Sequence, residues 1–337
     1  LRDRLRKEIA ERTEADAPLD PLVITGTSTL YNKDGEVIAE WVKKNLDRNL
    51  EGQAREAAIR AMAAIIKPVA PLPGPATTLA KLLTLYNFFD YHVGMLAWHK
   101  EGGADWDLKI AEEVGTSAMQ MLVDGAPASA VGMINIGGDF LHFDGLLPIT
   151  PTHGHVLDAD GRFSKVIDVA IKLIRRLVDL ALQKHGTVHL LIMEGNHDLT
   201  SSLWLRKMFA LLYADNPRVT VQEGELPYYA YQHGQTMLGF HHGHMKKNES
   251  LPALFAAMFR QMWGQVTKCY IHTGHRHHLD QKDHPGARVI QHPTLAAMDA
   301  HAARHGYFSD REITATTYHR ETGQVGSNTV TPEMLGS

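Results

Sequence analysis

Seven candidate metal ligands stand in five short clusters along the chain. Asp90 and His92 lie in Asp90-Tyr-His92-Val-Gly94, and Asp139 closes Gly137-Gly138-Asp139. Asn196 lies in Glu194-Gly195-Asn196-His197-Asp198, and His242 in His241-His242-Gly243-His244. His275 and His277 lie in Gly274-His275-Arg276-His277. A pair of divalent cations needs this mixture of oxygen and nitrogen donors, with at least one carboxylate able to bridge. Two ions ~3.5–4 Å apart can stabilise both the attacking and the leaving oxygen of an in-line displacement at phosphorus. The spacing of two in Asp90-x-His92 and His275-x-His277 puts both side chains on one side of an extended backbone.

Such clusters need elements that bring them together. Each follows a β-prone run: Leu82–Phe89, Val131–Ile136, Val188–Met193, Thr236–Phe240 and Cys269–His272. In open α/β sheets, ligands bind beyond the carboxyl ends of the strands, so these five loops can converge. Helical spacing runs through Trp106–Val123, Ser164–Gln183, Leu203–Tyr213 and Leu251–Val266, with further strands at Arg218–Gln222 and Val289–Gln291. Strands alternating with helices predict an α/β domain. Upstream, residues 1–14 are charged and helix-compatible, Leu22–Tyr31 and Val37–Val42 flank an Asp34-Gly35 turn signal, and Ala54–Ile66 has helical spacing. Lys67–Pro75 holds four prolines in nine residues and reads as a strap. The expected partition is an accessory segment over 1–80 and a catalytic domain over 81–330.

The composition narrows the function classes. Of 337 residues, 44% are hydrophobic and 21% charged, as in a globular protein. No apolar run approaches the ~18 residues of a membrane span, and the opening Leu-Arg-Asp-Arg does not read as a leader. One cysteine, Cys269, excludes a disulfide framework and a thiolate cage and fits a reducing cytoplasm. A net charge of −4 supplies no general cationic field for gripping long duplex DNA. Histidine is abundant, at 21 residues.

The ordered series Asp-x-His, Gly-Asp, Gly-Asn-His-Asp, His-Gly and Gly-His-x-His resembles the calcineurin-like metallophosphoesterases, over roughly residues 82–292. The resemblance implies a four-layer αββα sandwich, two mixed sheets flanked by helices, here with an N-terminal appendage. It implies that Asp90, His92 and His277 hold one metal, that Asn196, His242 and His275 hold a second, and that Asp139 bridges them. Manganese is the expected ion, with iron and zinc as alternatives. His197 is then the group that contacts phosphate and protonates the leaving alkoxide, held by a carboxylate for which Asp198 is the neighbouring candidate. Two features depart from the pattern. His142 stands where an acid is usual, with Asp144 two residues further on, which questions the support of the metals more than the metals themselves. His241, His242 and His244 compete for one role, and His242 is chosen because it directly precedes Gly243.

The remaining candidates are weighed against plain structural roles. His153, His155, His185, His189, His233, His301, His305 and His319 are read as structural. His99, His142 and His278 are divided between substrate contact and structure, and Arg276 is read as a phosphate contact. Lys246 and Lys247 are divided between phosphate contact and a solvated loop. Trp98 and Trp106 are read as packing residues rather than stacking platforms. Gly137-Gly-Asp-Phe-Leu-His142 followed by Gly-Asn-His-Asp is similar to the nuclease branch of the family, and the whole arrangement resembles phosphoesterases of phages and prophages. The expected activity is therefore phosphodiester hydrolysis on nucleic acid or a nucleotide, with no membrane partner. A phosphomonoesterase on a small molecule or protein is the alternative, and a non-catalytic metal-binding scaffold is the alternative of another class.

Overall fold

Residues 83–88 are buried end to end, and their side chains alternate between two apolar layers as a strand requires. In the computed structural model, which describes residues 22–31, 37–46, 72–151 and 154–336, this run belongs to a strand in the larger of two compact units. The units are Leu1–Ile59 and Arg60–Ser337.

Within the first unit, β1 (Leu22–Tyr31) pairs antiparallel with β2 (Val37–Leu46), Leu22 opposite Leu46 and Tyr31 opposite Val37. The expected hairpin is therefore present, with a longer second strand. The expected helices over 1–14 and 54–66, and the strap as far as residue 71, lie outside the described residues, as does His153.

The second unit is built on two sheets. In the first, β3 (Leu79–Phe88), β4 (Ser129–Gly137), β5 (Thr187–Met193) and β6 (Val219–Val221) run parallel, and β12 (Ile313–His319) and β13 (Gly323–Val330) extend it antiparallel beyond β3. In the second, β8 (Thr236–Phe240), β9 (Lys268–Thr273) and β11 (Ala287–Gln291) run parallel, flanked by antiparallel β7 (Tyr229–His233) and β10 (Asp280–His284). Leu83, Leu85, Met133, Leu191 and Met193 of one sheet meet Leu238, Phe240, Tyr270 and Ile290 of the other in a shared apolar layer.

Helices cover the outer faces. In α2 (Leu108–Gly125) the buried Ala111, Val114, Ala118 and Leu122 form one stripe, and in α3 (Phe163–Lys184) Ile167, Ala170, Ile174, Leu177 and Ala181 form another. These two pack together on the six-stranded sheet, while α4 (Leu199–Leu212) lies on β5 and β6. On the other side, Leu251 and Phe255 of α5 (Leu251–Met258) cover Met237, Ile271 and Val289. Two short helices, α1 (His99–Gly102) and α7 (Ala300–His305), touch each other. The result is the αββα sandwich that the resemblance implied. No helix among the described residues is long and apolar enough to cross a membrane.

Some boundaries move for local reasons. Trp106 lies outside α2 because the Asp107 carboxylate accepts the Ile110 N–H at 2.7 Å and starts the helix at Leu108. The helix expected over Leu251–Val266 breaks at Phe259 into α5 and α6 (Arg260–Gln265). Strands β7, β10, β12 and β13 have no counterpart in the sequence reading.

Register is what positions the site. Phe88 pairs with Ile136, and Ile136 with Ile192, so β3, β4 and β5 end level. Phe240 pairs with His272, and His272 with Ile290. The five donor-bearing loops leave these strand ends.

Candidate metal centre

Among the described residues, the non-glycine positions with left-handed backbone are Asp90 (φ 51°), His92 (51°), Asp139 (49°), His275 (72°) and His277 (56°). All five belong to the seven expected donors. A residue with a Cβ pays about 1–2 kcal/mol for this conformation, and such strain persists where the surrounding structure enforces it. The finding corrects the expectation of extended backbone at Asp90-x-His92 and His275-x-His277. The pairs converge through turned backbone, which compresses the loops around one point.

Three groups of three result, of which His92, His142 and His197 form one and the expected donors form the other two. Ligand atoms of Asp90, His92 and His277 lie within 4.8 Å of one another, and so do those of Asp139, His242 and His275. Each of these two groups takes donors from both sheets. The two groups adjoin, since His242 Nε2 is 3.1 Å from Asp139 Oδ2 and 3.8 Å from Asp90 Oδ1. His277 Nε2 is 3.2 Å from Asp90 Oδ1 and 3.4 Å from His92 Nε2. Glycine makes this closeness possible at two points. A Cβ on Gly195 would sit 2.0 Å from Asp139 Oδ1, and one on Gly274 would sit 2.4 Å from Asp90 Oδ2.

The donor set fits a pair of cations. Asn196 Oδ1 is buried and makes no hydrogen bond, although buried polar atoms are almost always satisfied, while Asp90 Oδ1 and His242 Nε2 have only the contacts within the donor groups given above. Burial works against charge on His242, but Asp139 and Asp90 outweigh it and lift the ring to about 10. Burial likewise opposes charge on Asp139, yet His242 and His197 hold that carboxyl well below its ordinary value. A negative field that retains a proton on a buried imidazole is a field that favours a divalent cation in its place.

Around these donors, a further layer fixes orientation. His242 Nδ1–H donates to the Gly137 carbonyl at 3.0 Å, which turns Nε2 inward. Of its competitors, His241 bonds the Pro227 carbonyl through Nδ1, and His244 stands half-buried beside His242 and His275. His142 is buried, with Nδ1 3.2 Å from His92 Nδ1. Burial first, then His197, pushes His142 to about 3, so its ring is neutral, and with His92 Nε2 turned to the donor group the remaining His92 Nδ1–H has His142 Nδ1 as its acceptor. The histidine in the acid's place thereby performs an acceptor's task.

His197 is held differently from the expectation. Its Nδ1–H donates to the His142 carbonyl at 2.8 Å, while Nε2 points toward Asp139 Oδ2 at 4.0 Å. The Asp198 carboxylate is engaged elsewhere, accepting N–H groups of Gly195 (2.8 Å), Phe140 (2.8 Å), Asp139 (3.2 Å) and Leu141 (3.2 Å). Burial, and then Asp139, raise Asp198 to about 7. It ties the Asp139 loop to the Asn196 loop. Asp144 accepts the N–H groups of Thr200 and Ser201 at 2.6 and 2.7 Å and so caps α4 from outside.

The residues proposed for substrate are less close. His99 and Asp105 form an exposed pair at 2.9 Å, and Arg276 is exposed between two donors. Trp106 is fully buried, as expected of a packing residue, whereas Trp98 is 51% exposed. Sequence reading also passed over Thr294, whose hydroxyl donates to the Asp90 carbonyl, and His292, stacked on Phe89 with centroids 5.2 Å apart.

Donors from four loops thus meet at the shared edge of the two sheets, and the loop that carries Asn196 packs against Asp139. The architecture is an αββα sandwich of two mixed sheets flanked by helices. No protein-family profile and no curated protein sequence matches the chain. Among solved structures, a conserved uncharacterized protein of Streptococcus pneumoniae TIGR4, described as a predicted phosphoesterase, aligns at 9% identity and TM-score 0.32 over 75% of this chain and 99% of its own. Wild-type Vps29 of Entamoeba histolytica, complexed with zinc, aligns at 13% identity and TM-score 0.30 over 74% and 98%. Phosphopantetheinyl Hydrolase of Mycobacterium tuberculosis aligns at 11% identity and TM-score 0.31 over 67% and 93%.

Proposed function

We propose that the chain is a dinuclear-metal phosphoesterase and that its substrates are phosphodiesters of nucleic acid or nucleotides. The observation that carries this reading is the pair of adjoining donor groups, with the buried Asn196 amide oxygen beside them left without a hydrogen bond. In this reading Asp90, His92 and His277 would hold one ion, Asn196, His242 and His275 would hold the other, and Asp139 would serve both. When bound, the two ions supply Lewis acidity at the phosphoryl oxygens and a hydroxide nucleophile at neutral pH. Manganese suits the mixed oxygen and nitrogen set, and iron and zinc compete for it according to supply.

The chain's own residues handle the leaving group. Because His197 Nδ1–H is committed to the His142 carbonyl, Nε2 is the end that carries a proton to the departing oxygen. Arg276 offers positive charge for a phosphate oxygen at the open side. Asp198 acts by bracing the two loops that present Asp139 and Asn196. We assign catalysis to residues 81–330 and an accessory role to 1–80, and a reducing cytoplasm suits a chain with one cysteine.

The diester preference draws on the nuclease-like Gly137–His142 segment and on the lack of a cationic field suited to long duplexes. Protein loaded with manganese, iron or zinc is assayed on bis-p-nitrophenyl phosphate, p-nitrophenyl phosphate and single-stranded DNA. Diester turnover that follows metal content, and falls sharply in H197A, is expected. Turnover of the monoester alone would reject the diester preference in favour of a phosphomonoesterase. An absence of metal binding would reject the dinuclear reading itself.

A further inference from the structure

His277 marks the open side of the centre: its side chain is 38% exposed, while that of His242 is fully buried. Beside it the surface is aromatic. Ser309 donates its hydroxyl to the His277 carbonyl, and the two preceding residues are Phe308, 75% exposed, and Tyr307, 66% exposed.

These rings do not sit on a slack loop. On one flank Gly306 ends α7 with left-handed backbone (φ 71°), the Tyr307 N–H donates to the Ala302 carbonyl at 3.0 Å, and His305 stacks on Tyr307. On the other flank Arg311 donates to the Leu295 carbonyl through Nε at 3.1 Å and Nη2 at 2.9 Å. The backbone is fastened on both sides, and the two adjacent rings form an exposed aromatic patch, the kind of surface that marks a binding site where it is contiguous.

The neighbouring helix repeats the feature. Arg304 of α7 lies 4.0 Å from Glu101 of α1, and α1 follows Trp98, whose ring has Lys100 Nζ 4.9 Å from its centroid.

We infer that Phe308 and Tyr307, with Trp98 just before the neighbouring helix, form a stacking rim that holds an unpaired nucleobase next to the phosphate at the metal centre. The inference rests on the diesterase reading above. Every base offers a π-face, so stacking grips single strands without regard to sequence. Lys100 and Arg276 supply local positive charge for the flanking phosphates, which a net charge of −4 does not supply at long range. Stacking with a few cations fits a short single strand or a nucleotide, whereas a duplex would keep its bases away from the rings.

The test is binding to the manganese-loaded protein of a phosphorothioate-linked tetranucleotide containing 2-aminopurine, with an abasic version as control. Stacking quenches 2-aminopurine, so wild type should bind with quenching, and Y307A/F308A should bind about 10–100-fold more weakly. The abasic oligonucleotide should bind both proteins alike. F308W retains the π-face and should keep both affinity and quenching, which separates loss of stacking from loss of folding. Equal binding of the aminopurine oligonucleotide by wild type and the double variant would overturn the rim. If wild type still cleaves single-stranded DNA in that case, the diesterase reading stands without it. If wild type binds no oligonucleotide and turns over only p-nitrophenyl phosphate, both readings fall together.

Discussion

The closest approach in the centre is between Gly195 and Asp139, and it yields a sharp expectation for Gly195→Ala. The added methyl would stand 2.0 Å from Asp139 Oδ1 and 2.3 Å from Asp139 N, whereas ordinary contact begins at 3.4 Å. The two loops must therefore separate by about 1.4 Å, the difference between 3.4 and 2.0 Å. That shift breaks the 2.7 Å bond from the His197 N–H to Asp139 Oδ1 and displaces the Asp139 carboxylate from the loop that carries Asn196. Misplacement by about 1 Å near reacting groups can cost on the order of 100-fold in rate, and overpacking costs about 1–3 kcal/mol of stability. G264A is the matched control. Gly264 lies in α6, and a Cβ added there would meet nothing within 4 Å, so alanine should be neutral or stabilise by up to ~1 kcal/mol. Manganese binding is read by calorimetry, folding by thermal melting, and turnover with bis-p-nitrophenyl phosphate. If G195A binds two ions with wild-type affinity and keeps its rate, the close-packed bridge is refuted.

Three further expectations concern the surrounding layer and the core. H142A removes the acceptor for His92 Nδ1–H and should weaken metal binding about 10–100-fold by calorimetry, while H142D, which restores an acceptor, should recover much of it. D144A strips the cap from α4 and should cost about 1–2 kcal/mol in denaturant unfolding. His185 is buried against Tyr86 and the Ser129 carbonyl, and burial lowers its ring from 6.5 to about 4. The unfolded chain takes that proton near 6.5, while the folded chain refuses it until about 4, so stability is full above 6.5 and falls between the two. The loss reaches about 3 kcal/mol. Urea unfolding at pH 7 and pH 5 should show this slope in wild type and a shallower one in H185Q.

The donors were legible in the sequence because metal chemistry restricts residue type and because each follows an apolar run of strand length. The left-handed backbone at five of them was not, since Asp and His carry no local signal that forces it and only the packed loops do. Strand β12, Ile313-Thr-Ala-Thr-Thr-Tyr-His319, has the β-branched content of a strand, but its partner β13 is rich in Gly, Ser and Asn and reads as loop. His142 shows another limit. A neutral imidazole nitrogen can accept a proton as a carboxylate does, and neither residue type nor spacing reveals that substitution. The partner of His197 is a main-chain carbonyl 55 positions away, which a side-chain motif cannot encode. Asp144 caps a helix across a similar distance and left no signal near α4 itself.

Each of the two groups of expected donors spans both sheets, which would give bound ions a mechanical meaning of their own. His92 and His277 are 185 positions apart, so a cation between them closes a very long loop of chain. A cross-link of that length acts on the unfolded chain much as a distant disulfide does, by removing conformations it could otherwise explore. Metal at this edge would rivet the two halves of the sandwich, and loss of metal and parting of the sheets would then be coupled events.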